Sequence, residues 1–161
     1  MQKITPCLWF NDNAEEAVDF YVSIFKGAKR KSVARYGAAG AKASGQPAGS
    51  IMTILFELEG QEFLALNGGP HFKFSPAISL VVNCKTQKEI DSLWDKLSAD
   101  KTAEQCGWLK DKFGVSWQIV PTIIRRMMQD KNSTKANRVM QAILQMKKLD
   151  IRAFRQAYRR P

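Results

Sequence analysis

The sequence predicts an α+β chain: two tandem strand–helix–strand–strand–strand (βαβββ) modules and a helical C-terminal extension. Three observations carry this expectation. Short apolar runs of strand type interleave with amphipathic stretches at helical spacing. The pattern that begins at residue 4 restarts at residue 77, a constant offset of 73. Charge is also uneven: residues 1–121 hold 14 Lys/Arg against 13 Asp/Glu, whereas residues 122–161 hold 11 Lys/Arg against 2 Asp. Most of the net charge of +10 therefore belongs to the last quarter of the chain.

In chain order, Ile4–Phe10 reads as a short strand, with Pro6 suggesting an edge or a beginning. Asn11-Asp12-Asn13 is a turn. From Ala14 to Phe25, Ala17, Phe20, Tyr21 and Ile24 recur at helical spacing, and Lys26-Gly27 stops the helix. Ser32–Tyr36 is a second strand. Gly37–Gly49, with four glycines and Pro47, is expected to be a mobile loop without a helix. Ser50–Leu58 and Glu62–Leu66 are partner strands about the turn Glu59-Gly60.

The second module repeats the order. Ala77–Asn83 is a strand and Thr86–Leu97 a helix. Gly107–Lys110 and Val115–Val120 are strands joined by Asp111-Lys112-Phe113-Gly114. At the offset of 73, Glu16 falls on Glu89, Phe20 on Leu93, Tyr21 on Trp94 and Ile24 on Leu97, so both helices share an apolar face. Pro121 ends the last strand. Thr122 is placed to cap Ile123–Gln129, Ser133 or Thr134 to cap Lys135–Lys148, and Asp150 to cap a last helix. In that helix Ile151, Phe154 and Tyr158 form one stripe, and Arg152, Arg155 and Arg159 form another displaced by one residue. The expected domains are residues 1–121, with modules at about 1–68 and 77–121, and a basic helical extension at 122–161.

Composition excludes several classes of function. With 45% apolar and 25% charged residues the chain is an ordinary globular mixture. No apolar run approaches a membrane span, and MQKITPCLWF lacks a signal core, so the expectation is a cytoplasmic protein without a membrane partner. Cys7, Cys84 and Cys106 are odd in number and lack Cys-x-x-Cys spacing, which argues against a disulfide framework or structural zinc. His71 is the one histidine, so mechanisms that need two imidazoles are excluded.

Three segments, ITPCLWFNDNAEEAVDFYVSIF, FLALNGGPHFKFSPAISLVVNC and CGWLKDKFGVSWQIVP, resemble the PhnB-like branch of the vicinal oxygen chelate superfamily. This superfamily includes glyoxalases, extradiol dioxygenases and antibiotic-resistance proteins; its PhnB-like members often carry the label 3-demethylubiquinone-9 3-methyltransferase. The resemblance continues through RVMQAILQMKKLDI and implies two modules forming a cupped mixed sheet around a pocket, usually in a homodimer. It also implies a divalent metal held by His, Glu or Gln. Carried over residue by residue, the ligand positions fall at about Thr5 and Ala77, at Gln118, and at Leu64–Leu66 with Asn67 just beyond. Two amides without an imidazole or carboxylate make a poor metal site, so no metal is expected. The methyltransferase label finds no support in a nucleotide loop: Gly37-Ala-Ala-Gly40 lacks the required spacing, and no cofactor is assigned.

Strand alternation then names a pocket. If Thr5 faces inward, so do Cys7 and Trp9; Ala77 brings Ser79 and Val81; Gln118 brings Ser116 and Val120. Leu8, Phe10, Ile78, Leu80, Val82, Trp117 and Ile119 are then expected beneath the helices. The glycine-containing linker from Asn67 to Phe74 brings His71 and Phe72 as a closing edge, and Cys106 stands beside Trp108. The expected function is metal-free binding of an unidentified, partly apolar small molecule. The alternatives are a metal-dependent lyase, isomerase or dioxygenase, and a nucleic-acid-binding accessory protein using the basic tail. For that tail, packing accounts for apolar residues that nucleic-acid binding leaves idle.

Overall fold

A computed structural model describes residues 2–159, which divide between Phe74 and Ser75 into two compact units. The first unit contains β1 (Cys7–Phe10), α1 (Ala14–Ile24), β2 (Lys29–Arg35), α2 (Ala38–Ser44), β3 (Ile51–Leu58) and β4 (Gln61–Asn67). Its sheet runs β1-β4-β3-β2, with β1 parallel to β4 and the other pairs antiparallel. The second unit contains β5 (Leu80–Cys84), α3 (Gln87–Leu97), a 3-10 turn at Lys101–Ala103, β6 (Trp108–Lys110), β7 (Ser116–Pro121), α4 (Ile123–Met128), α5 (Ser133–Leu144) and α6 (Ile151–Arg159). Its sheet runs β5-β7-β6, again with the first strand parallel to the last. The fold is thus α+β, with two mixed sheets and a C-terminal run of helices.

The internal echo is topological. In each unit a strand, a helix and a parallel return to the neighbour of that strand form the frame. Helices α1 and α3 are both 11 residues long, and Ala17 and Tyr21 are buried as Ile90 and Trp94 are. In the first unit α1 packs Ala14, Ala17, Val18 and Tyr21 into a core with Ile54, Phe56 and Phe63. Tyr21 stacks on Phe56 at 6.3 Å between centroids, and Phe56 on Phe63 at 5.5 Å. The second unit is one strand shorter: its chain makes the 3-10 turn between α3 and β6, where the first unit has β2.

Several expectations need correction. Gly37–Gly49 contains a helix, α2, because Ala38, Ala39, Ala41 and Ala43 supply strong helix propensity and Gly40 lies against the Tyr36 ring. Strand β1 begins at Cys7, leaving Ile4 83% exposed, and β5 begins at Leu80. Ile78, expected beneath a helix, precedes β5 and is 80% exposed. Asn132 caps α5 by accepting from the Lys135 N–H, in place of Ser133 or Thr134, and this helix ends at Leu144. Thr122 makes no side-chain cap; Asp150 does cap α6, accepting from the Ala153 N–H.

The helical extension is built into the second unit. Met127, Val139, Leu149 and Phe154 form a buried cluster, flanked by Ile123, Ile124, Ile143, Met146 and Tyr158. The turn after α5 is tied to β6 by its neighbours: the Cys106 and Gly107 N–H groups donate to Met146 O and Lys147 O, each at 2.8 Å. Gly107 has φ +87°, and a Cβ there would stand 2.8 Å from Leu149 Cδ1, so glycine serves both backbone and packing. From α3, Gln87 accepts from the Ile151 N–H and donates to Leu149 O, and Asp91 pairs with Lys148.

Candidate functional site

Alternation in the first sheet separates two faces. Leu8, Phe10, Phe63, Ala65, Ile54 and Phe56 are buried. The alternate positions Cys7, Trp9, Leu64, Leu66, Leu55 and Thr53 lie on the other face, in register across β1, β4 and β3, and all but the exposed Cys7 are half-buried. The result is an apolar strip three strands wide, free of α1. Thr5, also half-buried, precedes it.

One end of the strip is closed by aromatic packing. The Trp9 indole N–H donates to Gly69 O at 2.9 Å, and Phe72 meets the Trp9 ring edge-on at 4.9 Å. Gly68 is required beneath the indole: a Cβ would come within 2.2 Å of Trp9 Cζ2. His71, exposed, and the Gln46 amide flank Gly69. Trp9, His71 and Phe72, singled out from the sequence, therefore gather in one place.

Asn67 behaves differently. It follows the phase of Phe63 and Ala65 and is 5% exposed. Its Oδ1 accepts from the Ala14 N–H at 2.8 Å, and its Nδ2 donates to Ile51 O at 3.0 Å. The first-turn amide of α1 is thus satisfied from β4, which explains why Asn13 supplies no side-chain cap. The Asn67 carbonyl accepts from the Tyr36 hydroxyl at 2.5 Å.

The other end of the strip carries charges that sequence reasoning missed. Glu57 and Glu62 are paired across β3 and β4, and Lys31 Nζ bridges them at 2.9 and 2.8 Å. Hydrogen bonding to Glu62, then Glu57, raises the Lys31 pKa; the bond from Lys31 lowers those of both carboxylates. The ammonium occupies the place between the carboxylates, so the triad is an ion pair rather than a proton shuttle. The phase of Glu62 with Leu64 and Leu66 was the sequence signal.

In the second unit Gln118 Nε2 donates to Ser79 Oγ at 2.8 Å, and Trp108 lies opposite Gln118 in the ladder. Ser116 is buried; Val81 is exposed and Val120 half-buried. Cys106 is half-buried and holds φ +52°, a left-handed conformation stabilised by its N–H bond to Met146 O. Burial pushes the Cys84 thiol up to about 11, with Glu89 adding to the effect, and also raises that of Cys7. Neither is a ready thiolate nucleophile at neutral pH.

The donor set does not fit a divalent metal. Thr5 and Ala77 are poor ligands, the Asn67 amide is spent on α1 and β3, Glu62 is held by Lys31, and Gln118, whose Nε2 donates to Ser79, offers one weak amide oxygen. Among the described residues, no group of three or more His, Cys, Asp or Glu side chains is arranged to hold one. Nor does Gly37-Ala-Ala-Gly40 form a nucleotide loop: it follows β2, an antiparallel edge strand, and opens a helix of only 7 residues. No helix among the described residues is long and apolar enough to cross a membrane.

The most distinctive sequence run, WLKDKFGVSWQ, owes its pattern to Asp111. This residue is 3% exposed. Its Oδ1 accepts from the Phe113 and Val115 N–H groups at 2.9 and 3.0 Å, and its Oδ2 from the Trp117 indole at 2.8 Å. Gly114, at φ +89°, completes the turn, its N–H donating to Asp111 O. Asp, Gly and Trp at these spacings thus specify a hairpin.

Comparison with known proteins agrees. A family model described as 3-demethylubiquinone-9 3-methyltransferase matches residues 2–120. The structure of a PhnB protein from Bacillus cereus is 37% identical, covering 75% of this chain and 100% of its own, with a TM-score of 0.62. A protein of Pseudomonas aeruginosa, 23% identical over 75% of this chain and 98% of its own, has the same fold at a TM-score of 0.56. No curated protein matches. The chain belongs to the 3-demethylubiquinone-9 3-methyltransferase-like family, in its PhnB-like branch.

Proposed function

We propose that this chain binds a small, partly apolar molecule without a metal, as a vicinal oxygen chelate protein in which the metal site has been replaced by apolar and ion-paired residues. The observation that carries the reading is the strip of Trp9, Leu64, Leu66, Leu55 and Thr53 on the sheet face free of α1. Such a surface rewards an apolar ligand by removing its area from water, at roughly 25 cal/mol per Å². The Trp9–Phe72 pair offers ring edges, and His71 and the Lys31 triad give polar groups at opposite ends for orientation. Ser79, Cys106, Trp108, Ser116 and Gln118, expected from the sequence to line a pocket, belong to the second unit, and the strip is proposed as a site without them. In this reading the protein acts in the cytoplasm, for which its odd number of cysteines without Cys-x-x-Cys spacing argues, and as a homodimer, as the family resemblance implies.

The test is binding of the apolar dye anilinonaphthalene sulfonate to chelator-dialysed protein, with metal content measured on the same sample. Saturable binding that Leu64→Asp abolishes, with the fold retained by circular dichroism, is the expected result. A stoichiometric divalent ion that survives dialysis would overturn the metal-free reading and favour a metal-dependent lyase, isomerase or dioxygenase. Dye binding unchanged by Leu64→Asp would remove the strip as the site.

A further inference from the structure

Helix α6 keeps two surfaces apart. Ile151 and Phe154 are buried and Tyr158 half-buried in the core of the helical extension. One residue round the helix, Arg152, Arg155 and Arg159 are all exposed, and none has an ion pair or side-chain hydrogen bond among the described residues. Arg125 and Arg126 are exposed on α4, which packs against α6, and Lys131 and Lys147 are exposed in the connecting turns.

Local duties do not use these arginines. The two carboxylates of the extension are turned onto its own frame: Asp130 accepts from the Tyr158 hydroxyl and the Asn132 N–H, and Asp150 caps α6. The last carbonyls of α6 are also served from elsewhere, since Arg138 donates to Ala157 O and Tyr158 O. Burial of the apolar stripe fixes the helix, so the cationic stripe is presented on a rigid element. Arg152 to Arg159 spans two turns, roughly 10 Å at 1.5 Å per residue.

We infer that the exposed arginine face of α6, with Arg125 and Arg126 of α4, binds the phosphate backbone of nucleic acid without reading sequence. Guanidinium forks match phosphate oxygens in pairs, and mounting them on one packed helix limits the entropy lost on binding. Tyr158 is held by Asp130 and lies beneath Lys135, so it is not presented for base stacking. A lipid surface fits less well, because the apolar stripe needed for insertion is already buried.

The test measures fluorescence anisotropy of a short labelled DNA duplex between about 50 and 200 mM salt. Binding should weaken steeply over that range. Arg152→Gln/Arg155→Gln/Arg159→Gln should reduce the slope of log K against log salt by about 3, near 0.9 for each lost phosphate contact. Lys3→Gln/Lys26→Gln/Lys42→Gln removes the same charge from the first unit and should leave the slope unchanged. Arg155→Gln alone, lowering the slope by about 1, gives the same reading if the triple variant does not fold. No binding at the lowest salt, equal loss in the two triple variants, or tighter association with anionic phospholipid vesicles would each overturn the inference.

Discussion

The two units carry the same frame but anchor it at different ranges. In the first, a buried amide on the last strand holds the start of α1 and the start of β3: Asn67 reaches residues 53 and 16 positions away. In the second, the start of α3 and the last hairpin are held by local anchors, although the helical extension is tied on at long range. Thr86 and Glu89 cap α3 reciprocally across 3 residues, and Asp111 holds donors 2, 4 and 6 residues onward. Sequence-local anchors close small loops at low entropic cost, whereas Asn67 is useful only after the sheet has assembled. The hairpin of the second unit can therefore form before its surroundings; the α1–β4 junction cannot.

The largest effect should come from breaking the local anchor. Asp111→Ala leaves three donors without their acceptor, and we expect a loss of at least about 3 kcal/mol in urea unfolding. A loss below about 1 kcal/mol would mean that water replaces the carboxylate and that the hairpin needs no buried anchor. Asn67→Ala should follow at about 2–3 kcal/mol, because Ala14 N–H and Ile51 C=O become unsatisfied together. Gly68→Ala should cost about 1–3 kcal/mol through its clash with Trp9, and should shift tryptophan fluorescence as the indole is displaced. Thr86→Ala removes a solvated cap and should cost about 1 kcal/mol. If Thr86→Ala proved as damaging as Asn67→Ala, the contrast between local and long-range anchoring would fail.

The smallest expected effect is pH-dependent. Depressed carboxyl pKa values mean that the Glu57 and Glu62 contributions are present above the ordinary value of 4.5 and are lost as pH falls through their folded values. Lys31 has the opposite sign: its contribution is full below 10.5 and is lost as pH rises through the raised folded value. Lys31→Met should flatten both limbs of a melting-temperature profile against pH. In the second unit Asp100, held down to about 2 by the Thr102 hydroxyl and Lys110, extends the acid limb to lower pH. An acid limb unaltered by Lys31→Met would show that the triad contributes nothing to folding.

Elements governed by local pattern were legible in the sequence. The two equal helices, the β3–β4 hairpin and the turn at Asp111–Gly114 follow from periodicity and turn chemistry. Helix α2 was not, since its glycines suggested a loop while its alanines and the Tyr36 ring supported a helix. The role of Asn67 was also hidden: an amide at a strand end does not announce a partner 53 residues away. For the candidate site, alternation placed Cys7 and Trp9 on one face, but the Lys31–Glu57–Glu62 triad required the register between three strands.

The exposed edge of the first sheet illustrates a different constraint. All of β2 is exposed, yet its sequence is Lys-Arg-Lys-Ser-Val-Ala-Arg and its register slips between Arg30 and Ser32 and again between Ala34 and Arg35. Charge and irregularity discourage another strand from pairing there.

The Asp111 hairpin has an implication for how such proteins are grouped. A recognition run dictated by one carboxylate, one glycine and one indole records a solution to a folding problem. A run set by buried turn packing identifies a turn and not a chemistry, since Asp111 and Trp117 are buried and Gly114 has no side chain. Sorting such a group by activity would need different coordinates: the residues in phase with Leu64 and Leu66, and the charge carried beyond β7.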